Sequence, residues 1–215
     1  MNILFIDTET SGLPEKNASI FDHSKWPFII QVSFILYNEV SNDIIYTFNR
    51  YIKINDDINI SEESLSVHGI TREYLNENGI SITEALTTLY NAFKHADIIV
   101  AHNLRFDKNV IMVEFGRNNM KHNLYKSKNY VCTMKETKEL CKIPLPSNNE
   151  KLKCPKLIEL YNHCFPGQSL PENMHNSLID IIICMRCYYK YKKNIDIFTK
   201  NQTLYNLYIE NGMTN

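Results

Sequence analysis

The chain has 215 residues, 44% of them hydrophobic and 22% charged, the composition of an ordinary globular chain of about one domain, which excludes a coiled coil, a collagen-like repeat and a largely disordered segment. Lys and Arg number 23 against 24 Asp and Glu, a formal net charge of −1, so no global positive field draws the protein along a polyanion and any nucleic-acid contact has to be local. No apolar run approaches the roughly 20 residues of a membrane-spanning helix, and Met1-Asn2-Ile3-Leu4 lacks the regions of a signal peptide, so an intracellular protein with no membrane partner is expected.

Asn2–Asp7 is a short apolar run ending in an acid and bounded by Gly12 and Pro14, the pattern of a buried strand. Pro27 to Tyr37 and Ile44 to Phe48, with Tyr51 and Ile52, are β-branched and aromatic, and the turn-like stretch from Asn38 to Asp43 joins them into a three-stranded antiparallel start. Helical spacing begins with Ser61–Val67 and Thr71–Asn78, and Ser81-Ile82-Thr83-Glu84 is a capping box that opens a helix to about Ala96. Asp97–Ala101 is a second apolar strand, followed by a helix from about Arg105 to Asn118, an order that makes this strand parallel to the first. Tyr130–Thr133 reads as a strand and Met134–Cys141 as a short helix, while Pro144, Pro146 and Pro155 frame a polar loop, Ser147–Lys153. Helices restart at Lys156–Phe165 and from Asn173 to about Lys193. The stretch 195–211 keeps Ile197, Leu204, Tyr205 and Tyr208 at helical spacing, an extension that packs back on a single domain spanning residues 1–215. Six Cys in an intracellular chain of this length are expected to be free thiols, with Cys184 and Cys187 as buried packing residues.

Four acids and one histidine carry the chemistry. Asp7 and Glu9 are two apart at a strand end and leave one face of the sheet. Two carboxylates buried side by side call for a cation between them, and hard divalent cations take such oxygen ligands. Asp107 follows the second apolar strand, and if the two strands are neighbours both acidic clusters fall at one sheet edge, where ligands of parallel α/β sheets collect. Asp180 sits among Leu178, Ile179, Ile181, Ile182 and Ile183, so it is expected to be buried and to need a partner. On one continuous helix His175 and Asp180 would lie roughly 140° apart around the axis, whereas a lead-in carrying His175 ahead of the helix would let both reach one site. Each feature alone also suits a solvated strand end or an acid that favours a helix dipole.

Taken together, the pieces resemble the DEDDh group of 3′-to-5′ exonucleases, which includes the proofreading subunit of bacterial replicative polymerase and ribonuclease T. Phe5-Ile6-Asp7-Thr8-Glu9-Thr10-Ser11-Gly12 resembles the first motif of that group, His102-Asn103-Leu104-Arg105-Phe106-Asp107 the second and His175-Asn176-Ser177-Leu178-Ile179-Asp180 the third, with Val67-His68-Gly69-Ile70-Thr71 between the first two. The resemblance covers about residues 1 to 193. It implies an α/β, RNase H-like fold with a central five-stranded mixed sheet flanked by helices. It also implies that Asp7, Glu9, Asp107 and Asp180 bind two Mg²⁺ or Mn²⁺ ions, with His175 as general base, a role for which imidazole is suited. By the same carry-over Thr10 and Leu13 line the terminal nucleotide, and His68, Asn103 and Phe106 are further substrate-pocket candidates. The implied substrate is a single-stranded DNA or RNA 3′ end, hydrolysed to nucleoside 5′-monophosphates in proofreading or repair, with a polymerase or a second copy of the chain as candidate partner. Lys151, Lys153 and Lys156, with Arg105 and Lys108, are local basic residues for phosphates. A non-catalytic nucleic-acid-binding module and a zinc protein built on the cysteines are the competing readings.

Overall fold

In the computed structural model, residues 1–121, 129–171 and 174–212 are described. Strands β1 (Asn2–Thr10), β2 (Ile29–Asn38) and β3 (Asp43–Tyr51) come first, then helices α1 (Glu62–His68), α2 (Arg72–Asn78) and α3 (Ile82–His95). Next are β4 (Ile98–Ala101), α4 (Leu104–Arg117), β5 (Asn129–Cys132), the single turns α5 (Thr133–Glu136) and α6 (Lys138–Cys141), and a small hairpin of β6 (Pro144–Leu145) and β7 (Asn148–Leu152). Helices α7 (Leu157–Cys164), α8 (Ser177–Lys193) and α9 (Gln202–Gly212) complete the described chain.

Five strands form a mixed sheet in the order β3-β2-β1-β4-β5. β1 pairs antiparallel with β2, and β2 with β3, while β4 is parallel to both β1 and β5. Ile3, Leu4, Phe5 and Ile6 are all buried because both faces of β1 are covered, which is why this strand reads as an unbroken apolar run. Leu4 and Ile6 pack with Leu86, Leu89 and Phe93 of α3 and Val110 of α4. Ile3 and Phe5 turn the other way, onto Leu160 of α7 and Ile181, Met185 and Tyr188 of α8. A truncation such as Phe5→Ala would cost roughly 3–5 kcal/mol at such a site.

Most elements fall where periodicity places them, with instructive exceptions. β1 continues three residues past Asp7, because Thr8, Glu9 and Thr10 keep pairing with β2 although they interrupt the apolar pattern. The expected polar loop Ser147–Lys153 is instead the outer part of the β6–β7 hairpin; exposed on nearly every residue, it offers no hydrophobic alternation to read. The helix expected over Met134–Cys141 breaks in two at Thr137, whose hydroxyl donates back to the Thr133 carbonyl at 2.7 Å. Helix α8 starts at Ser177, with Asn176 as N-cap accepting from Leu178 N–H; the expected start at Asn173 lies outside the described residues. In the extension, Ile197, Leu204 and Tyr208 are buried as expected, but Tyr205 is 40% exposed. All six cysteines are free, and Cys184 and Cys187 are buried in the core. Among the described residues no helix is long and apolar enough to cross a membrane.

Candidate active site

The acids converge because pleat, register and helix placement aim them at one point. Asp7 and Glu9 share the β1 face of Ile3 and Phe5, so they point toward α8. Their partners across the β1–β2 ladder are Ser33 opposite Asp7 and Gln31 opposite Glu9, both fully buried. Both seat the first residue of α8: the hydroxyls of Ser33 and Ser177 lie 2.6 Å apart and share a hydrogen bond, and Ser177 N–H donates to Gln31 Oε1 at 3.4 Å. Asp180, three residues further along α8, is thereby carried to the β1 carboxylates. Asp7, Glu9 and Asp180 each offer a carboxylate oxygen within 4.8 Å of the others.

Asp107 arrives from the opposite layer. Thr8 points to the α4 side of β1, and both its N–H and its hydroxyl donate to Asp107 Oδ1, at 3.0 and 2.9 Å. Asn103, in the left-handed region at φ 65, is the N-cap that turns the chain from β4 into α4 and sets Asp107 in its first turn. Asp107 stands beside the three-carboxylate group rather than within it.

Electrostatics mark the cluster as incomplete without positive charge. Burial, and then the charges of Asp107, Asp180 and Glu9, hold the Asp7 carboxyl well above the usual carboxylate range. Burial and the charges of Asp180 and Asp107 push Glu9 up to about 8. Asp107 is raised to about 7 by burial, against the opposing Thr8 hydrogen bonds. Asp180 is raised to about 7 by burial, offset in part by the His175 backbone N–H. Asp180 Oδ1 is buried and has no hydrogen-bond partner among the described residues. Oxygen-only donors, mutual repulsion and an orphaned buried oxygen fit hard divalent cations.

His175 lies outside α8, exposed and at φ 71, directly before the Asn176 cap. A lead-in therefore does separate it from the helix that carries Asp180. The Thr10 hydroxyl donates to the Gly12 carbonyl at 2.7 Å, and Leu13, next along, is 82% exposed. His68 Nδ1 accepts from Ile70 N–H at 2.9 Å, while its Nε2 is buried close to the Thr10 backbone; burial chiefly, with the nearby His175, lowers its pKa, and the Thr10 backbone opposes that shift. Asn103 and Phe106, with Trp26 and Arg105, line a cleft of about 260 Å³. His102 is neutral, its pKa depressed to about 4 by burial, and it bridges Thr133 Oγ1 at 2.9 Å and the Pro155 carbonyl at 3.1 Å.

Ser33, Gln31, Ser177 and Thr8 are positioning residues that the motifs alone did not single out. The available signal was two polar residues of period 2, Gln31 and Ser33, inside an otherwise apolar strand. Buried polar groups in such a place need partners.

A mixed sheet covered by helices on both faces, with three carboxylates meeting at the end of its central strand, defines a class of site whose donors suit hard divalent cations. Residues 4–188 match the exonuclease (RNase T) family profile, and the chain belongs to this exonuclease family, as its DEDDh motifs indicate. Its fold is similar to that of E. coli exonuclease I in complex with a dT13 oligonucleotide, with a TM-score of 0.68 at 19% identity over 90% of this chain and 42% of that one. It is similar, too, to a zinc-bound form of the E. coli exonuclease I–ssDNA complex, with a TM-score of 0.66 at 17% identity over 93% of this chain and 42% of that one. The chain thus spans less than half the length of the exonuclease I chains it resembles. No curated protein sequence matches it.

Proposed function

We propose that the chain is a 3′-to-5′ exonuclease that hydrolyses the terminal phosphodiester of single-stranded nucleic acid and releases nucleoside 5′-monophosphates. The observation that carries this reading is the meeting of Asp7, Glu9 and Asp180 within 4.8 Å around a buried, unpartnered carboxylate oxygen. With Asp107 these residues would hold two divalent cations, Mg²⁺ or Mn²⁺, which when bound acidify the attacking water and stabilise the departing 3′ oxygen. His175, exposed beside the cluster on its own backbone segment, takes the proton of that water. The water oxygen bonds to phosphorus, the bond from phosphorus to the 3′ oxygen breaks, and the shortened strand leaves with a 3′-hydroxyl. Leu13 and Thr10 pack the terminal nucleotide, and His68, beside the Thr10 backbone, backs the same pocket. Asn103 and Phe106 close the opposite wall. The likeness to exonuclease I bound to oligonucleotides supports a single strand as substrate.

The test is incubation of 5′-labelled single-stranded DNA and RNA oligonucleotides with the protein in Mg²⁺, Mn²⁺ or EDTA, with Asp7→Ala as control. A metal-dependent ladder shortening from the 3′ end, absent in the variant, is expected, and the faster polymer identifies the preferred sugar. Full activity of Asp7→Ala would remove the assignment.

A further inference from the structure

The β6–β7 hairpin is too small to stand alone: two short strands, exposed on almost every residue, bury next to nothing, and isolated hairpins are marginal in water. It is held from outside instead. Lys153 N–H donates to the Ile143 carbonyl at 2.9 Å and closes its base. Glu159 then clamps that base to α7, accepting from Lys153 Nζ at 2.5 Å and from Lys156 N–H at 2.7 Å. A third tie runs to the active site: the Pro155 carbonyl meets His102 Nε2, and His102 is the neighbour of Asn103, the N-cap of the helix that presents Asp107. A surface hairpin with this much anchoring and no core of its own is built to present its side chains to solvent, on the side of the fold from which His102 and Asn103 lead into the helix of Asp107.

What it presents is basic. Lys142, Lys151 and Lys156 are exposed and form no salt bridge among the described residues, although the Lys156 charge also acts on Glu159, whose carboxylate is already engaged by Lys153. In contrast, the lysines at the end of α8 are engaged: Lys192 with Glu136 at 2.7 Å and Lys193 with Glu39 at 2.6 Å. Strand alternation puts Lys151 on the opposite face of β7 from Glu150, so the acid does not neutralise that face. A chain of net charge −1 needs a local cation cluster to hold a polyanion.

We infer that Lys142, Lys151 and Lys156 form a phosphate-binding arm that grips the backbone of the single strand upstream of the scissile bond, resting on the exonuclease reading above. The arm contributes affinity for longer strands and leaves the chemistry at the carboxylates untouched.

The test is binding of a 5′-fluorescein-labelled dodecathymidylate to the full chain in EDTA, read by anisotropy across a salt series. Lys142→Ala/Lys151→Ala/Lys156→Ala should weaken binding about 10-fold and flatten the slope of log K against log salt by about 2, at roughly 0.7 per lost phosphate contact on single strands. Lys94→Ala/Lys190→Ala/Lys200→Ala, which removes the same charge elsewhere, should leave both unchanged. Equal weakening by the two triple variants, an unchanged slope in the first, or no binding by the wild-type chain overturns the inference. Strand shortening by the wild type in the Mg²⁺ and Mn²⁺ incubations above, combined with unaltered binding by the first variant, sinks the arm alone. Weakened binding by the first variant, with no shortening by the wild type in the Mg²⁺ and Mn²⁺ incubations above, sinks the exonuclease reading and keeps the arm.

Discussion

At the scale of single residues the site opposes the stability of the fold that holds it. Asp7, Glu9, Asp107 and Asp180 all have carboxyls raised by burial, Glu9 to about 8 and Asp107 and Asp180 to about 7. In the unfolded chain such groups titrate near about 4. The folded state therefore binds more protons than the unfolded one between about pH 4 and pH 8, and the stability of the metal-free protein falls as pH rises through that window. Thermal melts in EDTA should show a lower Tm at pH 8.5 than at pH 5.5, and saturating Mg²⁺ should flatten the difference. Asp7→Asn keeps the shape and removes a repelling charge, so at pH 8.5 without metal it should melt above the wild type while having no nuclease activity. A variant that melts lower would mean that repulsion is not what raises these groups. His175→Ala should slow turnover roughly 10²- to 10⁴-fold while the Mg²⁺-induced rise in Tm persists, since the residue is exposed and outside the carboxylate group. The acids and this histidine were legible as motifs because their chemistry fixes residue type and spacing. Thr8 was not, because a threonine on a strand has no signature until the helix it faces is known.

At the scale of elements, the site depends on how α8 is seated on β2. Ser33 and Ser177 share a 2.6 Å hydrogen bond in a place where neither side chain touches solvent. Ser177→Ala removes this bond while the Ser33 hydroxyl keeps its donation to Asn49 Oδ1 at 2.9 Å, so the cost is that of one hydrogen bond, about 0.5–1.5 kcal/mol. For a domain of this size that is a fall in Tm of roughly 1–6 °C. In a Ser177→Ala background Ser33→Ala no longer breaks the shared bond, so the double variant should lose less than the sum of the two single losses; strictly additive losses in a double-mutant cycle would show that the two hydroxyls do not interact. The long elements were readable because their burial is periodic or continuous, as in β1, β2 and α3. The hairpin was not, because its stability comes from ties to Glu159 and His102 rather than from an apolar face. The end of β1 escaped for a related reason: its last residues are polar, being shaped by the site rather than by the core.

At the scale of the whole molecule, the carboxylates join three elements from both layers of the fold: β1 in the centre, α4 on one face and α8 on the other. α8 is in turn locked to the C-terminal extension through Arg186. Its guanidinium donates to both Asp196 oxygens at 2.9 and 2.6 Å, to Tyr161 Oη at 2.9 Å and to Gln168 Oε1 at 2.8 Å. A cation that binds this cluster therefore binds only the folded chain, because unfolding separates ligands that are up to 173 residues apart between Asp7 and Asp180. Linkage then requires that metal stabilise the fold by RT ln(1 + [M]/Kd), about 2.7 kcal/mol at a hundredfold excess over Kd, which corresponds to a rise in Tm of roughly 5–11 °C. The rise should vanish in Asp7→Ala and in Asp180→Asn, which lack a carboxylate of the converging group, and should survive in the Lys142→Ala/Lys151→Ala/Lys156→Ala variant, whose changes lie on the hairpin and on the helix ends that flank it. Calorimetry of the four proteins with and without Mg²⁺ separates these outcomes. An equal rise in Asp180→Asn would place the cation elsewhere, and with it the chemistry assigned to this cluster.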